Sequence, residues 1–252
     1  MEVMESVVAN RLIEINRQFY QTFGADFSAT RRRVQPGVRR ILDDLSGNES
    51  LLDLGCGNGN LEHELARRGH RAAVLGLDFS LPLLESADSA PTGFPLRFAQ
   101  ADLTRNWGEV VASNIRSLPL ADGLFDTATA FAVLHHLPGG DLRLAFCREV
   151  ASWLRPGGRL FLSNWQFLNS ERLRARIQPW SLVGLSEREV DRGDYLLDWR
   201  AGGRGLRYVH HFDTAELSAL AHAGGFRVIE TFYADGQNGR LGLYQVWKKA
   251  EG

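Results

Sequence analysis

One stretch decides the fold of this 252-residue chain: Leu51-Leu52-Asp53-Leu54-Gly55-Cys56-Gly57-Asn58-Gly59-Asn60. Its apolar start predicts a buried strand over 51–54, and the alternating glycines predict a sharply turned loop that leads into a helix. Glycine has no Cβ, so the backbone can turn tightly and approach a ligand closely. The first turn of a helix presents unpaired N–H groups. The order of strand, glycine loop and helix therefore predicts a site for a nucleotide-type cofactor at a sheet edge.

Acidic residues stand at the ends of three successive predicted strands. Asp53 lies just before the glycine loop, Asp78 ends the second strand, and Asp102 follows the third. The glycine spacing is G-x-G-x-G, which differs from the G-x-G-x-x-G of dinucleotide sites. Three carboxylates disfavour a pyrophosphate, whereas ribose hydroxyls, an adenine amine or an ammonium group can donate hydrogen bonds to them. The pattern favours a cofactor rich in donors; the alternative is an ordinary α/β fold whose glycines only form a turn.

Strands and helices alternate along most of the chain, which is typical of a parallel sheet covered by helices. Strands are predicted at 51–54, 72–77, 96–100, 125–130, 159–165, 226–233 and 243–248. Helices are predicted at 6–23, 35–45, 59–68, 81–87, 141–154 and 214–223, with a short one in the insertion 104–118 and one near 169–177 of the otherwise irregular segment 166–207. The fold class is therefore α/β: a doubly wound, mostly parallel seven-stranded sheet with N-terminal helices and an insertion before the last strands, which form a hairpin.

We interpret the chain as a single domain with four parts. These are an N-terminal helical cap (1–46), a cofactor-binding core (47–165), a substrate-side insertion (166–210) and a C-terminal helix with a strand pair (211–252).

The composition, 44% hydrophobic and 23% charged residues, is that of an ordinary globular protein. No apolar run approaches the roughly 20 residues that a membrane-spanning helix needs. The N-terminus does not resemble a signal peptide. The two cysteines, Cys56 and Cys147, give neither a disulfide framework nor a metal-binding spacing. We therefore expect no metal, no membrane partner and a cytoplasmic location.

The net charge is only −1, but the charges are unevenly distributed. Residues 1–40 hold seven arginines against four acids, and residues 165–210 hold eight arginines against six acids. Residues 41–164 hold ten basic residues against fifteen acids. The predicted cofactor core is thus acidic and both additions to it are basic. Arginine favours bidentate contacts with carboxylate or phosphate, although the charges could also be an ordinary solvated surface.

The glycine loop and the three acids resemble those of the class I S-adenosylmethionine-dependent methyltransferases. Two further segments match: Phe131-Ala132-Val133-Leu134-His135-His136-Leu137 and Leu154-Arg155-Pro156-Gly157-Gly158. The resemblance implies that the loop wraps the methionine part of S-adenosylmethionine, that Asp78 holds the ribose hydroxyls, and that Asp102 and the backbone N–H of Leu103 contact the adenine. The cofactor-binding residues that it implies are Asp53, Gly55, Cys56, Gly57, Asn58, Gly59, Asp78, Phe79, Asp102, Leu103, Phe131 and, as a lid, Tyr20. Asp53 could also be only a structural acid of the turn.

Other segments resemble the tRNA wobble-uridine carboxyl methyltransferases, which form the methyl ester of 5-carboxymethyluridine. The matching segments are Tyr20 with 27–31, Trp165, 193–196 with Trp199, 207–212 and 214–230. The insertion 104–118, Gly202-Gly203 and the extra arginines beside them depart from that family. The resemblance implies tRNA as the substrate and a small zinc-binding protein as a possible partner subunit.

A carboxylate acceptor is already ionised near neutral pH and needs positioning rather than deprotonation, which a guanidinium can supply. We expect Arg31 and Arg207 to hold such an acceptor, and His135 or His136 to orient it or to act as a base if it is neutral. An extruded base could be contacted by Trp165, Tyr208 and His210. The simpler interpretations are a histidine that caps backbone, a tryptophan that packs in the core and an arginine run that is solvated.

Two other functions remain open at this point. One is a small-molecule methyltransferase acting on a quinone, polyketide or carboxylic acid, with the N-terminal helices as a lid. The other is a non-catalytic cofactor-binding protein, which the intact loop and acids disfavour. The basic additions favour RNA over a small molecule, because phosphate contacts are made by basic side chains.

Overall fold

The computed structural model describes residues 4–29, 33–87, 93–200 and 203–251, without the side chains of residues 25–29. Its strands are β1 (Leu51–Leu54), β2 (Val74–Asp78), β3 (Leu96–Gln100), β4 (Phe125–Phe131), β5 (Leu154–Trp165), β6 (Ile177–Gln178), β7 (Asp194–Trp199), β8 (Gly205–His210), β9 (Phe226–Ala234) and β10 (Gly242–Lys249). Its α-helices are α1 (Ser6–Ala29), α2 (Pro36–Asp43), α3 (Asn60–Arg67), α4 (Leu81–Ala87), α5 (Trp107–Ile115), α6 (Gly140–Trp153), α7 (Glu171–Arg174) and α8 (Thr214–Ala223).

Seven strands form one sheet in the order β3-β2-β1-β4-β5-β10-β9. Strands β1 to β5 are parallel to one another, and β10 is antiparallel to both of its neighbours. This confirms the predicted fold class, including the terminal hairpin. Every residue of β1 and β2 is buried, as expected for central strands of a sheet that is covered on both faces.

Helices cover both faces of this sheet because each presents one apolar stripe to it. One face packs against α2 and α3, whose buried side chains include Val38, Ile41, Leu42, Leu61 and Leu65. The other face packs against α5, α6 and α8, whose buried side chains include Trp107, Val111, Phe146, Val150, Leu217 and Ala221. The sheet is therefore doubly wound, and the carboxyl ends of its parallel strands lie together at one edge.

The expectation that 166–207 is irregular was wrong. This segment forms a three-stranded antiparallel sheet in the order β6-β7-β8, and the helix expected near 169–177 is only the single turn of α7. Strands β7 and β8 are stabilised by α1, because Val8, Leu12 and Leu196 share one apolar cluster with Tyr208. That contact joins residues almost the length of the chain apart, which local sequence patterns do not reveal.

Other bounds differ from the expectations by a few residues. Helix α1 runs six residues beyond the predicted 6–23. The turn predicted at 155–158 lies inside β5, where the register with β4 jumps from Leu154 to Arg159. None of the helices in the described ranges is both long enough and apolar enough to span a bilayer.

Candidate active site

A cavity of about 290 Å³ opens at the carboxyl ends of the parallel strands. Asp53, Asp78, Phe131 and Trp165 line it from the ends of β1, β2, β4 and β5. Helix α1 closes one side with Tyr20 and its neighbours. Ligands of open parallel sheets bind at this place because the loops after the strands converge there.

The glycine loop borders the cavity in a conformation that other residues adopt poorly. Gly55 has φ +77° and Gly57 has φ +56°, both in the left-handed region. A Cβ on Gly55 would lie 2.4 Å from Cγ2 of Val133, whereas a Cβ on Gly57 would meet no atom within 4 Å. Gly55 is therefore required by packing, and Gly57 leaves its backbone open to a ligand.

Gly59 has a different role. It is the N-cap of α3 with φ +72°, and its own Cβ would approach Cβ of Ala87 to 2.9 Å. The cavity is lined by Cys56, Asn58 and Asn60 from this loop but not by Gly59. Gly59 thus allows a close contact between the start of α3 and α4, and the cofactor contact expected of it stays a prediction.

Asp78 is held rigidly at the end of β2. One carboxylate oxygen accepts a hydrogen bond from the backbone N–H of Gly57 at 2.9 Å, and the other accepts one from Ser80 at 2.8 Å. Burial raises the pKa of Asp78 above its ordinary value, while these backbone donors act in the opposite direction. Each carboxylate oxygen has a second lone pair, so the group can still accept hydrogen bonds from two ligand hydroxyls.

Asp102 lies after β3 and forms an ion pair with an arginine of α1. Nη2 of Arg17 donates to one carboxylate oxygen at 2.7 Å, and the backbone N–H and hydroxyl of Thr104 donate to the other. Burial alone would raise the pKa of Asp102, but the hydrogen bonds from Thr104 and Arg17 outweigh it and the pKa lies below its ordinary value. Asp102 is therefore ionised, and Arg17 ties the N-terminal helix to this side of the cavity.

Asp53 is paired with a second buried acid, Glu62 of α3. The hydroxyl of Thr129 donates to Asp53 at 2.6 Å. Burial, and then the charge of Asp53, raises the pKa of Glu62 well above its ordinary value. Burial raises the pKa of Asp53 to about 6. Near neutral pH Glu62 is therefore protonated and Asp53 keeps the charge, which faces the cavity and suits a ligand ammonium.

Tyr20 and His136 form a hydrogen-bonded pair across the cavity mouth. The Tyr20 hydroxyl lies 2.8 Å from Nε2 of His136, and Nδ1 of His136 lies 3.2 Å from the carbonyl oxygen of Tyr208. The carbonyl oxygen of Tyr208 lies closer to Nδ1 than the amide nitrogen of Asn16 does, at 3.2 against 3.4 Å. These distances favour the tautomer in which Nδ1 carries the proton and Nε2 accepts from the Tyr20 hydroxyl. Asn16 stabilises the arrangement by donating to the carbonyl oxygen of His136 at 3.4 Å and accepting from the backbone N–H of Tyr208 at 2.8 Å.

His135 is more deeply placed than its neighbour, with 2% of its surface exposed. Its Nδ1 lies 3.4 Å from the backbone N–H of Trp165, and its ring centroid lies 4.3 Å from that of His136. Both histidines line the cavity, but His136 is the half-buried one. Of the two, His136 is better placed to face an acceptor.

Arg207 brings a buried guanidinium to the cavity. Its carbon Cζ lies 4.5 Å from the ring centroid of Trp165, 5.5 Å from that of Phe19 and 5.8 Å from that of Trp199. The side chain lines the cavity although the residue is only 5% exposed. A guanidinium surrounded by aromatic rings keeps one orientation and can present its fork of donors to an anion.

The structure corrects the expectation for Tyr208 and His210, whose side chains lie outside the cavity. Successive residues of a strand point to opposite faces, so Arg207 on the cavity face places Tyr208 and His210 on the other. The Tyr208 hydroxyl donates to Asp194 at 2.8 Å. His210 contacts Asp194 at 2.6 Å and Glu216 at 2.9 Å. These side chains hold β8 in place rather than contacting a substrate.

Of the other expected site residues, one lies outside the described part of the chain and the rest line the cavity. Arg31 lies outside the described residues. Those that line the cavity are Tyr20, Asp53, Gly55, Cys56, Gly57, Asn58, Asp78, Phe79, Asp102, Leu103, Phe131, His135, His136, Trp165 and Arg207. Sequence reasoning missed Asn16, Arg17 and Glu62. The first two interrupt the apolar stripe of α1, a signal that could have identified them.

The comparisons with known proteins agree with this geometry. A model of the methyltransferase domain family matches residues 52–162. A protein of Encephalitozoon cuniculi (strain GB-M1) that is named a methyltransferase is 31% identical over 215 residues, which are 84% of this chain and 87% of that protein. The tRNA (carboxymethyluridine(34)-5-O)-methyltransferase of Schizosaccharomyces pombe is 25% identical over 230 residues, 87% of this chain and 92% of that one.

A crystal structure of an S-adenosylmethionine-dependent methyltransferase from Methanosarcina mazei has the same fold. Its TM-score is 0.63 at 22% identity, and the match covers 87% of this chain and all of the other. The cavity fits the cofactor: an open backbone at Gly57 borders it, and the three buried or half-buried carboxylates that line it can accept hydrogen bonds from a nucleoside and an ammonium. When bound, S-adenosylmethionine supplies a methyl group on a sulfonium, which is transferred to a nucleophile. The chain belongs to the class I S-adenosylmethionine-dependent methyltransferases.

Proposed function

We propose that this methyltransferase forms a methyl ester on a carboxylate carried by a modified wobble uridine of tRNA. The observation that carries the proposal is the buried guanidinium of Arg207 on the wall of the cavity. The acids Asp53, Asp78 and Asp102 line the side of the cavity that we assign to the cofactor, and Arg207 lines the part that carries Trp165. An anionic acceptor complements that charge.

The chemistry of esterification matches what these side chains offer. A carboxylate oxygen forms the bond to the methyl carbon while the carbon–sulfur bond breaks and the sulfur keeps the electron pair. No proton has to be removed, because the acceptor is already ionised near neutral pH. Arg207 can hold one face of the carboxylate with two parallel N–H donors, which fixes the direction of attack. His136, whose Nδ1 lies 3.2 Å from the carbonyl oxygen of Tyr208, the residue after Arg207, can help to orient the acceptor.

The tRNA part of the proposal is supported by the similarity to the fission-yeast enzyme, which extends over 87% of this chain. Trp165 lines the cavity beside Arg207 and offers a flat ring to an unpaired base. Arg31 stays a prediction of the sequence, and so does the zinc-binding partner subunit.

A second candidate is methylation of a hydroxyl on a small molecule. It is favoured by the Tyr20–His136 pair, because Nε2 of His136 accepts a hydrogen bond and could take a proton from a neutral acceptor in place of the Tyr20 hydroxyl. Helix α1, which carries Tyr20, would then act as a lid over the acceptor.

The experiment is methyl transfer from isotope-labelled S-adenosylmethionine to bulk tRNA, with nucleoside mass spectrometry as the readout. The expected product is an acidic uridine nucleoside that has gained one methyl group and loses it under mild alkali, because esters hydrolyse and N-methyl or ether groups do not. The Arg207→Ala variant is the control. Label only in the small-molecule fraction, or an alkali-stable methyl group in the RNA, would contradict ester formation on tRNA.

A further inference from the structure

We propose that a second, basic groove beside the catalytic cavity holds the RNA strand that flanks the methylated nucleotide. This inference rests on the proposed function. The groove has a volume of about 870 Å³. We call it the α1–β8 groove. Its lining residues include Arg11, Phe19, Phe23, Trp199, Arg200 and Arg204.

The charge of the α1–β8 groove suits a polyanion. Arg11, Arg200 and Arg204 are exposed on its walls. Of the described residues that line it, only Asp198 is acidic, and Nε of Arg200 donates to that carboxylate at 2.6 Å. Two arginines therefore remain uncompensated by an acid of the groove. Phosphates of a nucleic acid bind such side chains with release of counterions.

The α1–β8 groove draws arginines from both basic additions of the sequence. The two basic additions, 1–40 and 165–210, flank an acidic core, and the groove lies where α1 meets β7 and β8. Chain segments far apart in sequence thus bring three of their fifteen arginines to one groove.

Glycines beside Arg204 make the close packing of this groove possible. A Cβ on Gly203 would lie 2.7 Å from Cε1 of Phe23, and a Cβ on Gly205 would lie 2.5 Å from Cε2 of the same ring. Helix α1 can therefore lie directly on the backbone of β8 at this point.

The groove adjoins the acceptor side of the cavity through one aromatic wall. Phe19 and Trp199 line the groove and also surround the guanidinium of Arg207 at 5.5 and 5.8 Å. A strand in the groove could thus pass one base around this wall to Arg207. Single-stranded nucleic acids bind where a positive groove runs beside aromatic side chains, and the half-buried ring of Phe23 adds to them.

The test is equilibrium binding of a fluorescently labelled tRNA anticodon stem-loop at several salt concentrations. The variant Arg11→Glu/Arg204→Glu changes the groove, and Arg148→Glu/Arg227→Glu makes the same charge change at exposed residues of α6 and β9 that line neither cavity. We expect the groove variant to bind at least tenfold more weakly, with a salt slope reduced by about 1.4 for two lost contacts to a single strand. S-adenosylmethionine affinity should not change.

Equal weakening in the groove variant and the control would overturn the proposal, as would displacement of the stem-loop by poly-glutamate at an equal concentration of charge. Methyl transfer separates the groove from the proposed function. Wild-type methylation of tRNA with an unchanged KM in the groove variant would remove the groove and keep the function. Groove-dependent binding without any methyl transfer to RNA would keep the groove as an RNA site and remove the function.

Discussion

Asp78→Ala tests the cofactor side of the cavity most simply. The Asp78 carboxylate is already desolvated, at 8% exposure, and is fixed by the backbone N–H groups of Gly57 and Ser80. Its remaining lone pairs suit two ribose hydroxyls. Hydrogen bonds to a charged group contribute at least about 1.5 kcal/mol each. Two of them give about 3 kcal/mol, and at about 1.4 kcal/mol per decade this is a loss of affinity on the order of 100-fold.

Isothermal titration calorimetry with S-adenosylhomocysteine measures this loss without any acceptor. Asp78→Asn keeps one acceptor oxygen and should fall between the wild type and Asp78→Ala. Asp141→Ala removes an exposed acid of α6 outside both cavities and is the matched control. Urea unfolding of each protein separates lost binding from lost stability, since the N–H groups of Gly57 and Ser80 also lose their acceptor. A change in Kd below threefold in a folded Asp78→Ala protein would refute the ribose role.

Three further predictions concern the rest of the site. Arg207→Ala should lower kcat/KM for the acceptor by about 100-fold, from two charge-assisted hydrogen bonds of about 1.5 kcal/mol each, with an unchanged cofactor Kd; kinetics in which neither value changes would exclude the acceptor role. His136→Gln should lower kcat by less than about tenfold and leave the pH–rate profile unchanged, because a carboxylate acceptor needs no base; a loss of about 100-fold or more is instead expected where His136 has to take a proton from a neutral acceptor. Glu62→Gln should flatten the dependence of stability on pH. In the wild type the folded state keeps the Glu62 proton to higher pH than the unfolded state, so the free energy of unfolding falls as pH rises from the ordinary glutamate pKa through the raised one. Urea denaturation across this range checks it, and equal slopes in both proteins would contradict the buried protonated acid.

The sheet and the position of the cavity could be predicted because their signals are local. A buried strand, a glycine loop and an acid at a strand end can each be recognised from a few consecutive residues. In the structure, Gly55 and Gly57 adopt left-handed conformations, as expected for such a loop. Parallel strands with helical crossovers then place Asp53, Asp78 and Asp102 at one edge without further information.

The small sheet over the substrate side could not be predicted in this way. Strands β7 and β8 depend on contacts of α1 with Leu196 and Tyr208. The sequence that links these two strands, 200–204, is short and contains two glycines between arginines. Once β8 is known to be a strand, its alternation decides which side chains reach the cavity. Arg207 faces it, and Tyr208 and His210 face the buried acid Asp194.

Glu62 and Arg17 were missed for a different reason. A glutamate in the first turn of a helix usually lies on the surface, where its negative charge interacts favourably with the helix dipole. The sequence alone therefore indicates an exposed residue. The burial of Glu62 follows from the packing of α3 beside Asp53. Arg17 contacts Asp102 from a helix 85 residues earlier in the chain.

The central claim is that the strand ends hold the cofactor so that its methyl group faces Arg207. A crystal structure of the protein with S-adenosylhomocysteine tests it most directly. We predict ribose hydroxyls on Asp78, the adenine amine near Asp102, the ammonium near Asp53 and the sulfur directed toward Arg207 and Trp165. A nucleoside bound elsewhere, or a sulfur directed away from Arg207, would contradict the claim.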